Sequence, residues 1–155
     1  MTHKERRKNN PLHKLIKLDK VDMYLLKKHS FSISPDGYPV CSYKNKCTQI
    51  HRLILLDKEG YYIDHINRNR LDNRRCNLRY ATPSQNQMNK KIPKNNTSGY
   101  RGVSFYKPNK KWRAKIKIDE KHIHIGYFES ILDATKAYNK VAKELFGEFA
   151  VLNKV

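Results

Sequence analysis

Tyr62-Ile63-Asp64-His65-Ile66-Asn67, with Leu71-Asp72-Asn73-Arg74-Arg75-Cys76-Asn77-Leu78-Arg79 just beyond it, is the stretch on which the reading of this chain turns. It sets a carboxylate beside an imidazole at the end of a short apolar run, then presents several side-chain amides. A second amide-rich run, Thr82-Pro83-Ser84-Gln85-Asn86-Gln87, follows. An acid, a base and amide oxygens this close together, in a very basic chain, point to metal-assisted attack on a phosphodiester. Charge alone points only to binding of nucleic acid.

The charge is large. Lys and Arg number 33 against 14 Asp and Glu, a formal balance of +19 over 155 residues. Self-repulsion at that density calls for a polyanionic partner, nucleic acid ahead of a membrane surface or an acidic protein. No apolar run approaches the roughly 18 residues that would span a bilayer. Met1-Thr2-His3-Lys4-Glu5-Arg6-Arg7-Lys8 lacks the apolar segment of a secretory signal, so the expected location is inside a cell, cytoplasm or nucleoid. Cys41, Cys47 and Cys76 are odd in number and form no CxxC pair, which argues against a disulfide framework or a zinc knuckle and for reduced, partly buried thiols.

The length allows one ordinary domain or two small ones, and the composition divides it. Residues 1–20 read as a basic arm, either solvated tail or phosphate contact. Residues 21–90 read as a mixed α+β domain. Phe31-Ser32-Ile33-Ser34 and Tyr38-Pro39-Val40-Cys41-Ser42-Tyr43 form a hairpin about the turn Pro35-Asp36-Gly37. Leu53-Ile54-Leu55-Leu56 reads as a short buried helix, and Tyr61 to His65 as a strand. Thr82 and Gln85 make a capping box with Pro83 at the first helical position, so Asn86 lies in the first turns of a helix. Strand, loop, strand and helix around Asp64, His65 and Asn86 then make a compact metal-binding unit.

Residues 91–98 have linker composition, and 99–155 form a second module. Trp112-Arg113-Ala114-Lys115-Ile116-Lys117-Ile118 alternates apolar with basic residues. His122-Ile123-His124-Ile125 alternates again after the turn Asp119-Glu120-Lys121, and Tyr100 to Tyr106 supplies a first strand. The result is a three-stranded antiparallel sheet with a basic face. A helix capped by Ser130 covers its other face through Ala134, Ala137, Tyr138, Val141, Ala142 and Leu145, with Gly147 as terminator.

The segment from about His51 to Asn89 resembles the HNH nucleases, in particular the phage-type homing endonucleases. It carries an His51-Arg52-Leu53 run, an Asp64-His65-Ile66-Asn67 strand, a Leu71-to-Arg79 loop and a Ser84-to-Asn89 helix. Ser98 to Asn153 resembles the APETALA-type, ethylene-response-factor-like DNA-binding domain. Its markers are Gly99-Tyr100-Arg101-Gly102-Val103, Trp112-Arg113-Ala114, Ile125-Gly126-Tyr127-Phe128 and Phe146-Gly147-Glu148-Phe149-Ala150. The fold this implies is α+β: a ββα-metal HNH nuclease domain plus a small three-stranded antiparallel sheet packed on one helix.

The resemblance implies roles. His65 matches the general base, and imidazole suits that step because its ordinary pKa lies near neutrality. Asp64 and Asn86 match the protein ligands of a single divalent ion, Mg²⁺ or Mn²⁺ by their oxygen donors. Asn77 matches the central asparagine that braces the loop and orients His65. Asn86 stands where histidine ends the naming motif, making an H-N-N variant, and Arg68 stands where glycine is common. His51 reads either as a packed residue or as a group near the scissile phosphate. Arg52, Arg68, Arg70, Arg74, Arg75 and Arg79 read as phosphate contacts against the bland alternative of a solvated face. In the second module Arg101, Arg113, Lys115, Lys117, His122 and His124 are expected to meet DNA, with Trp112 in the core.

These implications favour a site-directed endonuclease acting on double-stranded DNA, as a monomer with no obligate protein partner. The alternatives are a sequence-specific DNA-binding protein that keeps an inactive HNH scaffold, and a basic RNA-associated protein. The set Asp64, His65 and Asn86 discriminates against both, since a mere binder has no reason to hold it in register.

Overall fold

A computed structural model describes residues 11–155; the opening residues of the expected basic arm, Met1 to Asn10, lie outside that range. The chain divides into two compact units, one running through Ala81 and the other from Thr82 to Val155. The division falls ahead of the 91–98 stretch read as a linker.

The first unit is built from α1 (Tyr24–Lys28), β1 (Ser32–Ile33), β2 (Pro39–Tyr43), β3 (Lys46–Gln49), α2 (Ile50–Ile54), β4 (Tyr62–His65) and β5 (Leu78–Ala81). The expected hairpin is present: β1 pairs antiparallel with β2, Ser32 opposite Val40, and Gly37 turns it at φ 81°. The third strand, β3, was not legible in Lys46-Cys47-Thr48-Gln49, which lacks apolar alternation. It is folded back by Lys44 and Asn45, both left-handed, onto an edge that is largely exposed. The apolar run after it forms its helix earlier than expected, over Ile50–Ile54, and leaves Leu56 exposed. Ile16, Leu25, Leu26, Phe31, Cys41, Ile50, Ile54 and Leu78 make one core. Ile16 belongs to it, so the segment expected as an arm is built into the unit from there on. Lys17 completes the attachment: its N–H donates to Leu71 O (2.8 Å), and its carbonyl accepts from Asn73 N (2.9 Å).

The second unit opens with α3 (Pro83–Met88), started by the expected capping box: Thr82 Oγ1 accepts from Gln85 N and Gln85 Oε1 from Thr82 N. Then come β6 (Val103–Tyr106), β7 (Lys111–Ile118), β8 (Lys121–Phe128) and α4 (Ile131–Phe146). The sheet is antiparallel in the order β6-β7-β8. Met88, Val103, Ala114, Ile116, Ala134, Tyr138, Ala142 and Phe146 form its core, with Trp112 packed against it as expected. Ser130 Oγ caps α4 by accepting from Leu132 N. On α4, Leu145 is exposed and Phe146 fills the place expected for it. Thr135 is buried without penalty because its hydroxyl donates to Ile131 O at 2.7 Å.

The part of 91–98 nearest the sheet is tied down. Asn96 Nδ2 donates to Tyr100 O and Ser98 Oγ to Val103 O. The whole is a mixed α and β protein of small antiparallel sheets. Among the described residues no helix is long and apolar enough to cross a membrane. Cys41 is buried, while Cys47 and Cys76 are exposed free thiols.

Candidate active site

β4 and β5 pair antiparallel with Asp64 opposite Arg79 and His65 opposite Leu78, and the loop between them carries the amides. As neighbours on a strand, Asp64 and His65 point to opposite faces. Both are buried, at 6% and 5% exposure. Asp64 Oδ2 accepts from Arg79 Nε at 3.1 Å, so the arginine read as a phosphate contact lies across the ladder on this carboxylate.

The His65 ring has Nε2 3.0 Å from Asn73 Oδ1. Burial lowers its pKa, opposed by the Asn73 hydrogen bond and by Asp64, so the balance favours the neutral ring. A neutral imidazole is the form that can take up a proton.

Asn77 braces the loop. Its Oδ1 accepts from Asn67 N (2.9 Å), and its Nδ2 donates to Asn67 Oδ1 (3.0 Å) and Asp72 O (2.7 Å). The arginines of the loop are engaged too. Arg74 makes a bidentate pair with buried Asp72 at 2.8 and 2.7 Å, which pulls that carboxyl down to about 2. Arg75 grips Asp22 in the same way at 2.8 Å, with its backbone N–H on Asp19. Arg70 donates to Asp36 O and lies 4.5 Å from the centre of the Tyr38 ring. Arg52 pairs with Asp57 and Gln49 on the surface. Arg68 is exposed and held left-handed at φ 62° by the turn that its N–H closes onto His65 O.

Of the two readings left open for His51, the packed one describes its surroundings. It is 3% exposed, and its ring stands edge-on to His65 with centroids 5.1 Å apart and Tyr38 5.3 Å away. Its Nδ1 has no hydrogen-bond partner among the described residues. Burial, with help from His65 and Arg52, lowers its pKa to about 3.

Asn86 lies in the first turns of α3, half-buried, its N–H on Thr82 O; Asn89 caps the helix and is buried. Among the described residues no three His, Cys, Asp or Glu side chains cluster as an all-protein metal cage. The Asp64 carboxylate is a hard oxygen donor of the kind that suits a divalent ion keeping most of its shell for water and phosphate. Sequence reasoning missed Asn73, Asp72 and Tyr38. Asn73 stood inside the quoted motif, but nothing in residue order says which of several amides reaches the histidine.

In the second unit β7 presents Arg113, Lys115 and Lys117 opposite Tyr127, His124 and His122 of β8. Arg113 lies 5.0 Å from the centre of the Tyr106 ring. Arg113 Nε and Ser104 Oγ, on residues directly opposite, are buried with no hydrogen-bond partner among the described residues. Lys117 is paired with the exposed Glu120. Arg101 turns inward to its own unit, donating to Lys90 O and from its backbone to Asn153 Oδ1.

A buried carboxylate–imidazole pair at a strand end, a loop braced by amides and a strongly basic chain define a nuclease of the HNH class. Residues 49–88 match the HNH endonuclease family. An uncharacterized HNH endonuclease of Acanthamoeba polyphaga mimivirus is 37% identical over 137 residues, 84% of this chain and 70% of the relative. The chain belongs to the HNH endonucleases. Protein 3.8 of Escherichia phage T7 is 39% identical over 92 residues, 59% of this chain and 75% of that protein. An AP2-like ethylene-responsive transcription factor of Arabidopsis thaliana is 33% identical over 63 residues, 41% of this chain and 13% of the plant protein. No solved structure matches.

Proposed function

We propose that this HNH endonuclease is a site-directed, homing-type enzyme that hydrolyses DNA with one divalent ion and His65 as general base. The observation that carries the reading is the Asp64–His65 pair, adjacent in sequence and both buried at the end of β4, with burial lowering the imidazole pKa. The order β4, loop, β5, α3 along the chain supports the reading of a ββα-metal unit. Asp64 and, by its place in the motif, Asn86 would hold the ion, Mg²⁺ or Mn²⁺. When bound, the ion supplies stabilisation of the charge that develops on the phosphate and on the 3′ oxygen.

His65 takes the proton from the attacking water, and Asn77 keeps the loop that carries it in shape. Arg79 fixes the rotamer of Asp64. Arg68 is exposed beside this strand end and offers its charge to the phosphate backbone, whereas exposed Arg52 and Arg70 would exchange their present partners to do so. Arg74 and Arg75 serve the loop through their carboxylate partners.

The second unit anchors the enzyme in the manner of an ethylene-response-factor-like domain. Arg113, Lys115, Lys117, His122 and His124 offer cationic and donor groups, and the unpartnered Arg113 Nε and Ser104 Oγ are groups that a nucleic acid would satisfy. The chain acts as a monomer on double-stranded DNA, within the host cell of a virus that encodes it.

A supercoiled-plasmid assay tests this. Nicking with Mg²⁺ or Mn²⁺, abolished by EDTA and reduced about 10²–10⁴-fold in His65→Ala with DNA binding retained, is the expected result. Binding without metal-dependent cutting on any substrate would leave only the DNA-binding protein.

A further inference from the structure

We infer that Asn73 is a positioning residue of the nuclease centre: its side-chain oxygen holds the His65 ring in the Nε2–H form and leaves Nδ1 to receive the proton of the attacking water. The inference rests on His65 being the base and assigns which nitrogen does the work and what selects it.

A neutral imidazole carries one N–H and one lone pair, and the hydrogen bond made by one nitrogen decides which is which. Nε2 of His65 lies 3.0 Å from Asn73 Oδ1. The orientation of that amide is fixed independently, because Asn73 Nδ2 lies 3.0 Å from Arg70 O. A carbonyl can only accept, so the NH₂ end of the amide faces Arg70 and the oxygen end faces the ring. Nε2 must therefore donate.

The amide has little freedom to turn. Asn73 is 0% exposed, and its backbone N–H is tied to Lys17 O at 2.9 Å. Its neighbour Asp72 is locked between Arg74 and Asn67. Asn77, by contrast, places its side-chain oxygen and nitrogen on Asn67 and Asp72. The two asparagines divide the labour: Asn77 shapes the loop and Asn73 aims the base.

The test uses the full chain with ¹⁵N-labelled histidine. Long-range ¹H–¹⁵N correlations distinguish the two neutral tautomers, and the His65 signals are those that vanish in His65→Gln. The parent protein should show the Nε2–H form. Asn73→Leu, close in size but without the oxygen, should show a tautomer mixture. Its kcat should fall about 10–100-fold, with KM for DNA unchanged. Asn73→Asp keeps an oxygen acceptor and should keep the Nε2–H form, with a smaller loss of kcat.

An Nδ1–H form in the parent protein would overturn the inference, and so would parental tautomer and kcat in Asn73→Leu. If Asn73→Leu does not fold, the parent spectrum and Asn73→Asp decide. Absence of any cleavage with the Nε2–H form intact would instead overturn the base assignment, leaving the Asn73 contact in place.

Discussion

Replacing His51 with phenylalanine should flatten the acid limb of the first unit's stability curve. In the folded protein burial holds the His51 pKa at about 3, against 6.5 in an unfolded chain. The folded pKa is depressed, so the unfolded state takes up the proton first as the pH falls. Stability linked to this ring is complete above pH 6.5 and is lost progressively toward pH 3. Each unit of that window is worth about 1.4 kcal/mol, so acidification to about pH 4.5 should remove roughly 2–3 kcal/mol through His51. Phenylalanine fills the space against Tyr38 and His65 and has no proton to bind. His65, lowered in the same direction, titrates in both proteins, so the difference between them reports residue 51 together with its coupling to His65. Urea unfolding at about pH 7 and pH 4.5, followed through the methyl NMR signals of Ile50 and Ile54, reads the first unit alone. The variant should lose about 2–3 kcal/mol less than the parent between the two conditions. Equal losses would refute the argument and place the acid sensitivity elsewhere.

Two substitutions test the backbone. Gly102 sits at φ +71°, where a Cβ would meet the Tyr138 ring and Lys115 O, so Gly102→Ala should destabilise the second unit by about 3 kcal/mol or more. Trp112 fluorescence during urea unfolding would show it, and a midpoint unchanged from the parent would count against the packing described. Arg68→Gly should stabilise the first unit by about 0.5–1 kcal/mol, since relief of the left-handed conformation outweighs glycine's added chain entropy. The same methyl-detected unfolding checks it, with a loss of stability as the opposing result.

What the sequence disclosed and what it withheld follow from the range of the forces involved. The Thr82–Gln85 capping box and the alternation along Trp112 to Ile118 act between near neighbours and were readable directly. The Asp64–His65 pair was readable because strand geometry fixes adjacent residues on opposite faces. β3 was hidden, because an exposed edge strand needs no apolar pattern. Leu145 and Phe146 exchanged roles because a helical stripe tolerates a shift of one position until the sheet beneath it is known. The arginines were the least legible. Whether Arg74 and Arg75 face phosphate or carboxylate depends on Asp72 and Asp22, and Asp22 is brought to Arg75 only by folding. The contact that aims His65 could not be singled out among Asn67, Asn69, Asn73 and Asn77 before their distances were known.

The attachment of Lys17 bears on how the protein can be trimmed. A designer reading the opening residues as a disposable tail would cut near residue 20. That cut removes two backbone tethers, to Leu71 and Asn73, together with the aliphatic plug Ile16 and the Asp19 acceptor for Arg75. What looks like packaging is a clasp on the loop between β4 and β5, and a cut that takes the plug takes the clasp with it.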